Sequence, residues 1–101
     1  MKGNTIGEFI DDILMTGGPE KEFVFQDRYY FLETVLEQEG EEYILTIDEY
    51  NNSNPEKKKL ICTHTYKGRT LQECVETLEK DCIFDNMNIY QAEREIEVLF
   101  G

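Results

Sequence analysis

The sequence predicts an α+β fold with an N-terminal helix, a four-stranded antiparallel meander, and two C-terminal helices packed on one face of the sheet. Three observations predict this arrangement: three helix-capping patterns, apolar residues with a period of two between the first and second of them, and turn residues between the alternating segments. With 101 residues, the chain is long enough for one domain (residues 1–101) with a modest core.

Each predicted helix begins with a Thr or Asn that is followed three residues later by Glu or Gln. In this pattern the side chains satisfy backbone N–H groups that have no partner inside the helix. Apolar residues at helical spacing follow: Ile6, Phe9, Ile10 and Ile13; Leu71, Cys74, Val75 and Leu78; and Ile89, Ala92, Ile96 and Leu99. Gly17, Gly18 and Pro19 predict the end of the first helix, and the last stripe predicts a helix that continues through Leu99.

Four strands are predicted between the first and second helices, at residues 23–26, 29–38, 42–50 and 59–66. The segment NNSNPEKKK between the last two is a polar loop rich in turn residues. Its lysines are expected to protect the edge of the strand that follows.

Two hairpins predict the same core face. A two-residue turn at positions 39–40 places Leu36 opposite Tyr43. A turn at positions 27–28 places Phe25 opposite Tyr30. The inward residues are apolar in both registers, so this face is expected to pack against the helices.

The other face of the sheet combines acidic and aromatic residues, and the chain has no base between Arg28 and Lys57. Burying unpartnered carboxylates costs several kcal/mol each, so this face is open or is covered only by a binding partner. Interfaces combine aromatic anchors with steering charges, although ordinary antiparallel sheets also leave one face wet. The residues predicted to bind a partner are Tyr29, Phe31, Glu33, Glu37, Glu42, Asp48 and Tyr50.

The charge is strongly acidic and unevenly distributed. Residues 1–50 contain 13 acids and 3 bases, whereas residues 51–101 contain 9 and 7, and the formal net charge is −12. Phosphates of duplex nucleic acid and anionic membrane surfaces would be repelled, so neither is an expected ligand. Self-repulsion also predicts a monomer when the protein is free. The expected partner is a basic protein.

Candidate chemical groups are few. Cys62 and His64 are two residues apart on a predicted strand and offer two metal ligands, but the sequence shows no third, so no metal or other cofactor is expected. Cys74 and Cys82 are predicted to be buried structural thiols on one helix face. No phosphate-binding glycine loop or nucleophile motif is present. Catalytic residues, and hence an enzyme, are not expected.

The predicted location is the cytoplasm. Two acids interrupt the apolar stretch of the N-terminal segment, which is therefore unlike a signal peptide, and no segment is long and apolar enough to span a bilayer. Three cysteines without a CxxC spacing favour a reducing compartment.

The segment LQECVETLEKDCIFDNMNIYQAEREIEVLFG resembles small acidic bacterial immunity proteins of contact-dependent growth inhibition and related toxin systems. The shared pattern is a helix of the QECVE kind, then IFD and a short acidic helix, after an antiparallel hairpin sheet; it covers residues 20–101. The resemblance implies a cognate toxin C-terminal domain, usually a nuclease, that is neutralised in the cytoplasm by tight binding.

An alternative is a phage-type acidic nucleic-acid mimic that inhibits a DNA-processing enzyme of the host. The layout of the charge distinguishes the two. A mimic needs carboxylates in extended rows at phosphate-like spacing, whereas an inhibitor of one toxin needs a compact acidic patch with aromatic anchors. Aromatic residues among the acids favour the inhibitor.

Overall fold

The computed structural model describes residues 1–16, 20–37, 41–54, 56 and 58–100. Within them the chain forms a five-stranded antiparallel sheet with the strand order β4-β3-β2-β1-β5, together with short helices. The elements are α1 (Ile6–Thr16), β1 (Lys21–Phe25), β2 (Arg28–Glu37), β3 (Glu42–Tyr50), β4 (Leu60–Gly68), α2 (Leu71–Lys80), α3 (Ile89–Ala92), a 3₁₀ helix (Glu93–Glu95) and β5 (Ile96–Phe100).

The prediction of a four-stranded meander followed by two full helices is wrong at the C-terminus. There the chain forms a fifth strand instead of continuing α3. Ile96 is buried opposite Phe25, and Val98 lies opposite Phe23, whereas Leu99 is 54% exposed. Without β5, the backbone groups along one edge of β1 would lack ladder partners. The spacing of Ile96 fits a helical stripe and a strand equally well, and pairing with β1 favours the strand.

The register between β1 and β2 differs from the prediction by two residues. Phe23, and not Phe25, lies opposite Tyr30, because the turn begins one residue earlier, at Gln26, which has a φ of 55°. A shift of two residues keeps each side chain on its predicted face. The rings of Phe23 and Tyr30 consequently stack, with centroids 5.1 Å apart.

The register between β2 and β3 is confirmed. Leu36 lies opposite Tyr43 and Leu32 opposite Ile47, which is the register predicted from the sequence. The predicted turn residues, 39 and 40, lie outside the described residues, as do the predicted helix-ending residues 17–19.

The predicted caps occupy the helix N-termini. The hydroxyls of Thr5 and Thr70 each accept a backbone N–H from three residues on, at 3.1 and 3.2 Å, and Asn88 forms the full reciprocal pattern with Gln91. None of the helices in the described part of the chain is both long and apolar enough to cross a membrane.

The core lies between the helices and one face of the sheet, called here the inner face. Aromatic rings fill its centre, and apolar residues of α1, α2 and α3 pack onto them. The fully buried members include Phe9, Ile13, Phe23, Phe25, Tyr30, Leu32, Leu45, Ile47, Cys74, Val75, Leu78, Phe84, Ile89 and Ala92.

Candidate functional site

The seven residues predicted to bind a partner lie on the opposite face of β2 and β3, called here the outer face. Alternate residues of two paired antiparallel strands share a face. The buried helix residues pack with the inner-face residues, and Val35 on the outer face remains 53% exposed. The cross-strand pairs of the outer face are Tyr29–Tyr50, Phe31–Asp48, Glu33–Thr46, Val35–Ile44 and Glu37–Glu42.

Two carboxylates face each other at one end of the outer face, because Glu37 lies directly opposite Glu42. Like charges in this position destabilise a sheet. Further along, Glu33 lies opposite a threonine, and Asp48 accepts a 2.6 Å hydrogen bond from the Thr63 hydroxyl. Within the described residues, none of these four carboxylates forms an ion pair.

The three bases of residues 1–50 pair with other acids. Lys2 pairs with a glutamate of β5, Lys21 with an aspartate of α1, and Arg28 with acids at the end of the inner face. These three bases are therefore engaged away from the outer face, next to which Lys67 of β4 lies opposite Ile44.

The aromatic end of the outer face is covered by the chain itself. The ammonium group of Lys58 lies 4.1 Å from the ring centre of Tyr29 and 4.7 Å from that of Tyr50, at cation–π distance. Tyr29 is only 4% exposed, and its hydroxyl donates to Glu22. Burial, followed by this hydrogen bond, raises the pKa of Tyr29 above its ordinary range.

The expectation that Tyr29 is an exposed anchor is therefore wrong, since the loop before β4 places a lysine over it. Tyr50 and Phe31 are half-buried. Val35, which the sequence places on this face but which was not among the predicted anchors, is the more accessible apolar side chain. A valine amid outward-facing acids was the signal for it in the sequence.

A second cluster of polar groups lies at one end of the inner face. The Nε2 atom of His64 is 2.9 Å from Oε1 of Glu49 and 3.4 Å from Sγ of Cys62. The other oxygen of Glu49 accepts a 3.3 Å hydrogen bond from Arg28, whose guanidinium also donates to Asp85 at 2.5 Å. Glu49 is 6% exposed, so its charge is stabilised by these neighbours and hardly by water.

Strand pairing brings these groups together. Cys62 and His64 alternate on β4 and point to the inner face, and Glu49 of β3 lies directly opposite Cys62. A register shift between Glu49 and Tyr50 marks a β-bulge immediately beside the cluster. Bulges re-aim side chains and are frequent next to functional sites.

The cluster is poorly arranged for nucleophilic catalysis. Burial, followed by the charge of Glu49, raises the pKa of the Cys62 thiol, which disfavours a reactive thiolate. In a catalytic triad the histidine uses one ring nitrogen for the nucleophile and the other for the orienting acid. Here the same Nε2 atom of His64 faces both Glu49 and Cys62.

The arginine beside the cluster is held as a permanent cation. Burial alone lowers the pKa of Arg28, but the hydrogen bond and charge of Asp85, with the charge of Glu49, raise it above its ordinary value overall. Arg28 thus remains charged and orients the Glu49 carboxylate.

The other two cysteines differ from each other. Cys74 is fully buried in α2, as predicted, and burial raises the pKa of its thiol. Cys82 is exposed, contrary to the prediction, because α2 ends at Lys80 and the backbone is extended at Asp81. The helical stripe therefore does not reach Cys82.

No protein-family model, no curated protein and no solved structure matches this chain. The functional interpretation accordingly depends on the two sites just described.

Proposed function

We propose that this protein is an inhibitor that binds and neutralises a basic protein in the cytoplasm, the expected partner being a nuclease-type toxin domain, as in the immunity proteins that the sequence resembles. The observation that carries the proposal is the acidic outer face, where Glu37 faces Glu42 and the acids have no ion pair within the described residues. A basic partner would neutralise that repulsion on binding.

The charge layout suits a fast and selective encounter. A nuclease presents basic groups where it binds phosphates, and complementary charge raises association rates from about 10⁵–10⁶ to about 10⁸ M⁻¹s⁻¹ at low salt. An inhibitor that must reach its toxin before damage occurs benefits from this rate.

The apolar residues among the acids supply contact area. Val35 is 53% exposed and lies opposite Ile44. This pair lies between the Glu33–Thr46 pair and the Glu37–Glu42 pair. Desolvated apolar residues surrounded by polar groups are the usual centre of an interface. Val35 and Phe31 are thus the proposed anchors, with the carboxylates around them.

The spacing of the carboxylates favours the inhibitor over a nucleic-acid mimic. Glu33 and Glu37 are four residues apart on β2, which corresponds to about 13 Å at about 3.3 Å per residue. Among the described acids of the outer face, only Glu37 and Glu42 lie directly opposite each other, so this face offers one close pair and not the extended row of charges that a mimic needs.

The proposal is tested by binding kinetics at two salt concentrations with a toxin domain, which for an immunity protein is expected to be encoded by the adjacent gene. Changing Glu33, Glu37 or Asp48 to lysine should slow association, with a smaller effect at high salt, because screening weakens steering. Val35→Ala or Phe31→Ala should mainly speed dissociation. The loss of binding free energy should be about 2 kcal/mol for a residue that acts as an anchor.

The matched control is Glu95→Lys, which changes the net charge equally but lies on the 3₁₀ helix. Outer-face variants that bind like the wild-type protein, together with a Glu95→Lys variant that does not bind, would refute the proposed surface. If duplex DNA competes with the protein for one site on the partner and the apolar substitutions have no effect, the mimic is the better interpretation.

A further inference from the structure

We propose that Glu49, Cys62 and His64 bind a Zn²⁺ ion at the end of the inner face, with water in the fourth coordination position. Cysteine sulfur, histidine nitrogen and carboxylate oxygen are the donors that zinc uses in proteins. The three donor atoms lie within 4.8 Å of one another. This site is separate from the proposed partner-binding surface and does not depend on the proposed function.

The distances between the donor atoms fit tetrahedral coordination. With bonds of about 2.3 Å to sulfur and about 2.0–2.1 Å to nitrogen and oxygen, tetrahedral angles separate N from S and S from O by about 3.5 Å, and N from O by about 3.3 Å. The corresponding separations here are 3.4 Å between His64 and Cys62, 3.9 Å between Cys62 and Glu49, and 2.9 Å between His64 and Glu49. Shifts of about 0.4 Å or less would complete the geometry.

The Glu49 ligand is oriented by groups outside the cluster. Arg28 holds the Glu49 oxygen that does not face the other two ligands, and Asp85 in turn holds Arg28. Zinc binding displaces the Cys62 thiol proton to solvent, and two carboxylates and one thiolate then stand against one guanidinium. The two remaining negative charges are balanced by one divalent cation.

A buried polar atom lies at the same end of the core. The Tyr30 hydroxyl has no hydrogen-bond partner among the described residues. Tyr30 lies directly opposite Glu49 in the β2–β3 ladder. Buried hydroxyls are normally satisfied by protein groups or ordered water, and a water held at this end of the core would satisfy the Tyr30 hydroxyl.

The position of the site in the fold favours a preformed centre. All three ligands are on two paired strands next to a β-bulge, so strand geometry and not a loop fixes their spacing. Cys62 is exposed and His64 half-buried, which leaves an entry path for the ion. Bound zinc would cross-link the edge strand β4 to β3 through these three side chains.

The test is a zinc titration of tag-free, chelator-stripped protein against a chromophoric competitor. The wild-type protein should bind one ion per chain with a Kd below about 10 μM. Cys62→Ser, His64→Gln and Glu49→Gln should each weaken binding by about 10-fold or more. The matched controls, Cys82→Ser and Asp48→Asn, should change the affinity by less than about 2-fold, since Cys82 lies outside the cluster and Asp48 is on the outer face.

Two further measurements locate the ion. Zinc should slow alkylation of Cys62 but not of Cys82, and at the same zinc concentration should raise the thermal midpoint of the wild-type protein more than that of Cys62→Ser. If Glu49→Gln fails to fold, the other two ligand variants decide the question, because their side chains are not fully buried. The proposal is overturned if the wild-type protein does not bind zinc, or if Cys62→Ser and His64→Gln bind it as tightly as the wild-type protein does, which would indicate non-specific binding to surface acids.

Discussion

Replacing Glu37 with lysine should stabilise the free protein, although the same change should weaken its binding to a basic partner. Glu37 is exposed and lies directly opposite Glu42 in the β2–β3 ladder. The substitution converts a cross-strand repulsion into an attraction. Opposite effects on stability and on association are expected where charge is retained for binding at the expense of stability.

The magnitude follows from the cross-strand geometry. Directly opposed residues have Cβ atoms about 4.5–5.5 Å apart, which places the charges about 6 Å apart. In water the interaction between two such charges amounts to about 0.7 kcal/mol, so replacing the repulsion with an attraction changes the unfolding free energy by about 1.4 kcal/mol. Screening with a Debye length of about 8 Å reduces this to about 0.6 kcal/mol. For a chain of 101 residues, that raises the thermal midpoint by about 3 °C.

The assay is urea denaturation at physiological and at high salt. Glu33→Lys is the matched control, because Glu33 is on the same strand and face but lies opposite a threonine. Both variants reduce the overall negative charge equally, so the difference between their unfolding free energies isolates the Glu37–Glu42 pair. That difference should shrink at 1 M salt, where the Debye length is about 3 Å. Equal free energies for the two variants, or a difference that salt does not change, would refute the reasoning.

Three further predictions concern the core, the tyrosines and the oligomeric state. Ile96→Ala should lower the unfolding free energy by about 2–4 kcal/mol, whereas Leu99→Ala should lower it by less than about 0.5 kcal/mol. Urea denaturation measures both values, and a large loss for both variants would favour the predicted helix through Leu99 over β5. Burial, followed by its hydrogen bond to Asp81, raises the pKa of Tyr66 above its ordinary value of 10.0, so the stability that this shift contributes is present below about pH 10 and is lost as the pH rises further. In an alkaline absorbance titration, Tyr66 should therefore ionise only as the protein unfolds, and Tyr66→Phe should remove that late component; a Tyr66 that ionises normally in folded protein would contradict this. Light scattering at physiological salt should show a monomer, because the net charge of −12 opposes association, and a dimer at low micromolar concentration would contradict it.

The sequence by itself determined the features that depend on local contacts. The helix starts at Thr5, Thr70 and Asn88 are set by hydrogen bonds that span three residues, so the capping pattern predicts them directly. The register of β2 with β3 was predictable from the period of two, because a slip of one residue would move the core residues to the solvent side. The same period places the acids on the outer face.

Only the tertiary structure decided the features that depend on contacts between distant parts of the chain. The strand β5 forms because β1 offers an edge, and a helical stripe cannot reveal a partner some 70 residues away. Lys58 covers Tyr29 because a loop folds back over the face. Glu49 joins Cys62 and His64 through the pairing of β3 with β4, whereas the sequence shows only the Cys-x-His spacing. Local spacing fixes which face a side chain takes, but the path of the whole chain decides which distant groups meet there.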